Sequence, residues 1–143
     1  MKKIISVLAF SLMAITVFAQ QSIIGRWKTI DDENGEAKSY VEIWQDAKSG
    51  IFFGKITQLL QKPADTRCEK CTGSRANQPV VGMIILWDMK SDGNYWKDGR
   101  ILDPTKGSDY GCSMWFENGD YNTLNVRGKH WSGIYRTQKW YRL

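Results

Sequence analysis

The fold is decided by the repeating pattern in residues 91–127, SDGNYWKDGRILDPTKGSDYGCSMWFENGDYNTLNVR. Short runs rich in Trp, Tyr, Phe, Val and Ile alternate there with turn residues, which is typical of β-strands joined by tight turns. Turn dipeptides recur along the chain at Asn34-Gly35, Ser49-Gly50, Asp92-Gly93, Asp98-Gly99, Lys106-Gly107, Asn118-Gly119 and Ser132-Gly133. Because this spacing leaves little room for helices, we predict an all-β chain.

We predict eight strands, at residues 25–30, 39–45, 51–59, 80–89, 95–102, 110–116, 122–127 and 134–142. Hairpin-length loops join most of them, which favours an antiparallel sheet. A sheet in a small domain must protect its edges, and closure into a barrel removes them. We therefore expect a single up-and-down β-barrel over residues 20–143, with a β-sandwich as the alternative. The longest break, residues 61–79, is predicted to be a surface loop.

The first 19 residues predict export. Lys2 and Lys3 precede an apolar run over residues 4–18, and Ala19 ends a small-residue cleavage site, which is the pattern of a secretory signal peptide. We expect cleavage after Ala19, a periplasmic or secreted protein, and no stable membrane anchor after cleavage. Losing the two lysines takes the 20 basic side chains to 18, against 15 acidic ones. This balance is too mild to indicate nucleic acid as a partner.

Three cysteines constrain the chain further. Cys68 and Cys71 form a C-x-x-C in the long predicted loop, and Cys112 stands alone on a predicted strand. In an oxidising compartment we expect Cys68 and Cys71 to be joined and Cys112 to be free, with a bridge from one of the pair to Cys112 as an alternative. A loop between prolines is a poor context for a thioredoxin-like motif. A zinc site would need all three cysteines and His130, the single histidine.

The last predicted strand carries a polar and aromatic face. Side chains two residues apart share a face of a strand, so Arg136, Gln138, Trp140 and Arg142 project together. Three placements stay open for that face. It could line the interior and hold a carboxylate or phosphate, it could face solvent, or one arginine could close the barrel end by stacking on Trp27.

Sequence blocks along most of the chain resemble, in order, a family of small exported bacterial proteins known as domain of unknown function 2147. The blocks are Gly25-Arg26-Trp27-Lys28-Thr29-Ile30-Asp31-Asp32, Gly54-Lys55-Ile56, Cys68-x-x-Cys71, Gly82-Met83-x-Ile85-Leu86-Trp87, Gly99-Arg100-Ile101-Leu102-Asp103-Pro104, Gly107-x-x-Tyr110-x-Cys112, Leu124-Asn125-Val126-Arg127-Gly128 and Arg136-Thr137-Gln138-x-Trp140-x-Arg142. The G-x-W opening and the terminal arginine also resemble lipocalin-like (calycin) barrels. These resemblances imply fold and export, and the family has no assigned activity that would identify functional residues.

The residues indicate binding rather than catalysis. No nucleophile-elbow, zinc-protease or phosphate-loop motif is present, and the candidate carboxylates Asp31, Asp32, Glu33, Asp103 and Asp109 stand mostly in turns. An enzyme of unknown reaction is the second alternative, and we expect no cofactor and no metal.

Our leading hypothesis is a small amphipathic or lipid-like ligand in the barrel interior, and its polar end is expected to meet Arg127, Arg136 or Arg142. The expected binding residues are Trp27, Arg127, Arg136, Gln138, Trp140 and Arg142. The first alternative is a filled barrel whose exposed Trp96 or Trp131 contacts a glycan or another envelope protein. The oligomeric state is left open.

Overall fold

Eight antiparallel strands close into a barrel in the computed structural model, which describes residues 21–143. The strands are β1 (Gly25–Ile30), β2 (Ala37–Gln45), β3 (Phe52–Leu59), β4 (Ile84–Asp92), β5 (Tyr95–Asp103), β6 (Ser108–Glu117), β7 (Asp120–Lys129) and β8 (Tyr135–Arg142). Each strand pairs with its sequence neighbours, and β8 pairs with β1 to complete the circle. The prediction of an up-and-down barrel is confirmed. The predicted signal peptide lies outside the described residues.

Most strand ends lie one to four residues from their predicted positions, and two of the differences have a clear physical cause. β4 begins at Ile84 rather than at residue 80, because the preceding turn already bonds to β3: the Gly82 N–H donates to the Ile56 carbonyl oxygen at 2.7 Å. The predicted Asp98-Gly99 turn is an irregularity inside β5. A Cβ at Gly99 would collide with the side chain of Met89, so this position requires glycine for close packing. No helix within residues 21–143 is long and apolar enough to cross a membrane.

The two ends of the barrel are packed differently. We call the end at which β1 starts and β8 finishes the closed end, and its interior is filled by aromatic rings. Trp27 packs on Phe116 at a centroid distance of 6.1 Å, and Trp96 packs edge-on against both Phe52 and Phe116 at 6.3 and 5.8 Å. The indole N–H of Trp27 donates to the Ile23 carbonyl oxygen at 2.9 Å. Aromatic side chains therefore close this half of the interior to any ligand.

Arg142 seals the closed end. Its guanidinium carbon lies 4.2 Å from the ring centroid of Trp27, a cation–π contact. The same group donates hydrogen bonds to the backbone carbonyl oxygens of Tyr121 at 2.9 and 3.0 Å, Ser22 at 2.7 Å and Ile24 at 3.2 Å. Burial lowers the pKa of Arg142. The sequence left three placements open for this face of the last strand, and the structure combines two of them. Arg142 stacks on Trp27 and closes the barrel end, while Arg136, Gln138 and Trp140 face the interior.

Candidate functional site

A cavity of about 910 Å³ occupies the other half of the barrel, which we call the open end. Turns 31–36, 104–107 and 130–134 and the long loop 60–83 surround its mouth. Its inner wall is mainly apolar and is formed by Ile56, Leu59, Val80, Ile85, Ile101, Leu102, Val126 and Trp140. This volume falls within the range of small-molecule sites, and an apolar wall with few polar groups is their usual chemistry.

A line of hydrogen bonds runs along the inner face of β8 from the cavity wall to its rim. The indole N–H of Trp140 donates to Oε1 of Gln138 at 3.2 Å, and the Gln138 amide nitrogen donates to Oδ2 of Asp32 at 2.7 Å. Arg136 donates to the same Asp32 oxygen at 3.0 Å. Because each polar group has a partner, the orientation of the Gln138 amide is set before any ligand arrives.

A second polar spot lies on the neighbouring strands β1 and β2. The hydroxyl groups of Thr29 and Ser39 are 2.8 Å apart, and both side chains are buried against the cavity. Hydroxyl groups can turn to donate or accept, so the pair can reorganise around a ligand hydroxyl or carbonyl. The interior thus offers two uncharged hydrogen-bonding positions, the Gln138 amide and this hydroxyl pair.

The rim carries charge of both signs in equal measure. The charged residues that line the cavity are six acidic ones, Asp31, Asp32, Glu33, Asp65, Glu69 and Asp103, and six basic ones, Lys38, Lys62, Arg67, Lys70, Lys106 and Arg136. Asp32 accepts a hydrogen bond from Arg136 and, with its negative charge, raises the pKa of that guanidinium. The cation nearest the Gln138 amide is therefore already neutralised by a protein carboxylate.

The long loop 60–83 covers part of the mouth and is held by the disulfide. Cys68 and Cys71 are joined, as predicted, and Cys68 is only 1% exposed. An isolated bridge between Arg67 and Pro79 makes the loop a small hairpin. A Cβ at Gly107 would collide with the Lys70 carbonyl group, so the loop packs closely on the β5–β6 turn. The prediction of a surface loop over residues 61–79 is confirmed: most of the segment is exposed, with Cys68 and Cys71 buried, and several of its residues line the mouth of the cavity.

The remaining thiol and the histidine lie apart from this disulfide chemistry. Cys112 is free and buried on β6, and burial raises the pKa of its thiol to about 12. His130 is exposed on the β7–β8 turn, where Nδ1 lies 2.8 Å from the Ser132 hydroxyl. The alternative zinc site needs all three cysteines and His130. It cannot form, because Cys68 and Cys71 are joined in the disulfide. Across residues 21–143 no cluster of His, Cys, Asp and Glu has the geometry of a metal site.

The structure separates the six predicted binding residues into three groups. Arg136, Gln138 and Trp140 line the cavity. Trp27 and Arg142 lie at the closed end, stacked on each other.

Arg127 faces outward. Its guanidinium stacks on Trp115 and Tyr135 at 4.8 and 4.2 Å, and it donates to the Thr137 hydroxyl. Its neighbour Val126 points into the cavity, so strand alternation sends Arg127 to the outer surface and corrects the expectation that it meets a ligand.

Two further expectations concern exposed tryptophans. Trp96 is buried at the closed end, which corrects the suggestion that it forms a surface, whereas Trp131 is 91% exposed. Sequence reasoning missed Thr29, Ser39 and the pairing role of Asp32. Alternation from Trp27 could have placed Thr29 on the inner face, but Asp32 stands in a turn, and no local pattern shows that a turn residue pairs with β8.

Comparisons with known proteins agree with this architecture. A family model described as "Uncharacterized protein conserved in bacteria (DUF2147)" matches residues 25–142. A solved structure described as "Protein HP1028 from the human pathogen Helicobacter pylori belongs to the lipocalin family" is similar, with a TM-score of 0.71 and 18% sequence identity over 85% of this chain and 83% of that chain. The search of curated proteins found no match. At this identity the structural likeness shows a shared fold.

Proposed function

Because the chain belongs to the DUF2147 family and folds as a lipocalin-like barrel, we propose that it is a non-enzymatic binding protein for a small amphipathic or lipid-like molecule. The observation that carries this proposal is the cavity of about 910 Å³ in the open half of the barrel. Its wall supplies the apolar surface that a hydrocarbon tail requires. The filled closed half limits how deeply such a tail enters.

The polar groups indicate how the other end of the ligand is recognised. The Gln138 amide and the Thr29–Ser39 hydroxyl pair offer hydrogen bonds without net charge. A purely anionic group at Arg136 would compete with Asp32, which already holds that guanidinium. The balanced rim therefore favours a ligand with a neutral or zwitterionic polar end, rather than the anionic end expected from the arginines alone.

Adjacent residues of β8 provide a matched test with the neutral fluorescent probe N-phenyl-1-naphthylamine. Gln138 faces the cavity, and Lys139 is exposed on the outer surface. Gln138→Trp fills part of the site, so we expect about tenfold weaker probe binding, equivalent to about 1.4 kcal/mol and within the usual cost of overpacking. Lys139→Trp should bind the probe as the unchanged protein does. Equal affinity in both variants, with both proteins folded, would contradict the cavity as the binding site.

The natural ligand is sought by purifying the protein from its own host under native conditions and extracting it with organic solvent. We expect one class of amphipathic molecule at close to one equivalent per chain. Failure of the native protein to retain any small molecule, together with failure to bind the probe, would overturn the proposal.

We also propose that the protein works outside the cytoplasm, in the periplasm or as a secreted protein. The signal-like residues 1–19 motivate this location, and the disulfide between Cys68 and Cys71 is compatible with an oxidising compartment. Mass spectrometry of the native protein tests it. A chain that begins near Gln20 is expected, and an intact Met1 on cytoplasmic protein would contradict export.

A further inference from the structure

The turn between β7 and β8, residues 130–134, exposes apolar side chains beside the mouth of the cavity. We call residues 130–135 the tip. Trp131 is 91% exposed, Ile134 is 74% exposed and Tyr135, the first residue of β8, is 58% exposed. Ile134 and Tyr135 also line the cavity mouth, and Trp131 lines an adjoining surface hollow. Exposed apolar side chains therefore lie beside the mouth of the cavity, through which a ligand would enter and leave.

The turn is held in one conformation by its own hydrogen bonds. The His130 N–H donates to the Ile134 carbonyl oxygen at 2.8 Å, and the Gly133 N–H donates to the His130 carbonyl oxygen at 2.9 Å. Gly133 has a φ of 94°, a conformation that glycine adopts without steric cost. Trp131 and Ile134 are thus presented together on an ordered turn, although neither is buried in the barrel.

The last part of the chain, which includes the tip, carries basic side chains and no acidic ones. Residues 121–143 contain no Asp or Glu and five basic side chains, Arg127, Lys129, Arg136, Lys139 and Arg142. Lys129 and Lys139 make no ion pair within residues 21–143, and the Arg127 guanidinium lies over the Tyr135 ring at 4.2 Å. Arg142 lies at the closed end, and Arg136 is paired with Asp32. In the hollow that Trp131 lines, Asp109 is paired with Arg100, so Lys129 supplies a local positive charge beside the exposed tryptophan.

We propose that the tip docks the open end of the barrel on an anionic lipid bilayer, with Trp131 and Ile134 inserted at the headgroup boundary and Lys129 facing lipid phosphate groups. Tryptophan and tyrosine favour this boundary, and nearby basic residues add attraction to anionic lipids. A projecting turn suits a soft bilayer better than a rigid protein partner, whose interface needs a broad complementary patch. The biological purpose of docking, exchange of an amphipathic ligand with the membrane, rests on the function proposed above.

Co-sedimentation with vesicles tests the docking surface. One set of vesicles contains phosphatidylglycerol and phosphatidylcholine in equal parts, and the other contains phosphatidylcholine alone. We expect the full protein to bind the anionic vesicles, with Trp131→Ser weakening this binding about tenfold through loss of inserted apolar surface. Tyr95, which is exposed at the closed end, provides the matched control: Tyr95→Ser should leave binding unchanged. Lys129→Gln should weaken binding to the anionic vesicles only.

Three results would overturn docking: no binding to the anionic vesicles, equal losses for Trp131→Ser and Tyr95→Ser, or a dimer in sedimentation equilibrium that Trp131→Ser dissociates without any vesicle binding. The last result would assign the surface to a second copy of the chain. Trp131 does not line the large cavity, so Trp131→Ser should bind N-phenyl-1-naphthylamine normally. Vesicle binding by a protein that neither retains a small molecule nor binds the probe would refute the cavity proposal alone, and probe binding without vesicle binding would refute docking alone.

Discussion

Replacing Arg142 tests whether the closed end is sealed by one side chain. Arg142→Met keeps much of the apolar contact with Trp27 but removes the cation–π contact at 4.2 Å and four hydrogen bonds to three backbone carbonyl groups. A hydrogen bond from a charged donor contributes about 1.5–3 kcal/mol, and a cation–π contact about 0.5–2 kcal/mol. The site is partly exposed, so water can reach the freed carbonyl groups and replace some of the lost hydrogen bonds. We therefore expect the free energy of unfolding to fall by about 3 kcal/mol, the sum of one charged hydrogen bond and the cation–π contact.

Thermal unfolding measures this loss, and a domain of this size should lose about 12 °C in Tm for such a change. Arg127→Met is the matched control, since Arg127 also stacks on aromatic rings but lies on the outer face and makes one side-chain hydrogen bond. We expect Arg127→Met to lower the free energy of unfolding by less than about 1 kcal/mol. Arg142→Lys should fall between them, because lysine keeps the charge without the planar fork. Equal Tm values for the two Met variants would refute the sealing role.

Two further predictions concern the cysteines. Burial raises the pKa of the Cys112 thiol from an ordinary 9.0 to about 12, so the free energy of unfolding should fall as pH rises from 9 towards 12. By pH 10 the native protein should have lost about 1.4 kcal/mol more than Cys112→Ala, measured by urea unfolding, and parallel pH profiles would contradict this. Replacing Cys68 and Cys71 together by alanine should cost about 2 kcal/mol, because the disulfide closes a short ring and its sulfur atoms are buried; an unchanged Tm would show that the loop is held by its other contacts.

The strands were predictable because their signals are local. Gly-containing turns and alternating apolar residues placed all eight, and the main error, the start of β4, fell where the long loop bonds to β3 before regular pairing begins. The irregularity at Gly99 looked like a turn because the dipeptide signal is the same for both, and the close approach of Met89 that requires glycine arises only in the folded barrel.

The cavity was less predictable because its parts come from distant positions. Both faces of β8 carry aromatic residues, so periodicity could not choose which one points inward. Asp32 lies 104 residues from Arg136, and only barrel closure brings them together. Arg127 and Trp96 were misplaced for a simpler reason: each was judged by residue type or nearness to a turn, while strand alternation decides the side of the sheet on which each lies.

The barrel interior divides stability from the proposed binding along its axis. Trp27, Trp96 and Arg142 at the closed end contribute packing and hydrogen bonds, whereas Gln138 and Arg136 lie at the open end and contribute few core contacts. Substitutions at the closed end should therefore change stability and leave ligand binding intact, and substitutions at the open end should do the reverse, since distant sites act independently.

Trp140 is the exception that follows from this division. Its ring is 1% exposed, it lines the cavity, and it lies on the inner face of β8 between Gln138 and Arg142. Any change there alters both the core and the cavity wall, so loss of ligand binding in a Trp140 variant cannot be separated from loss of packing. The role of the cavity is for this reason better tested at Gln138, whose side chain is half-buried and makes no contact with the aromatic rings of the closed end.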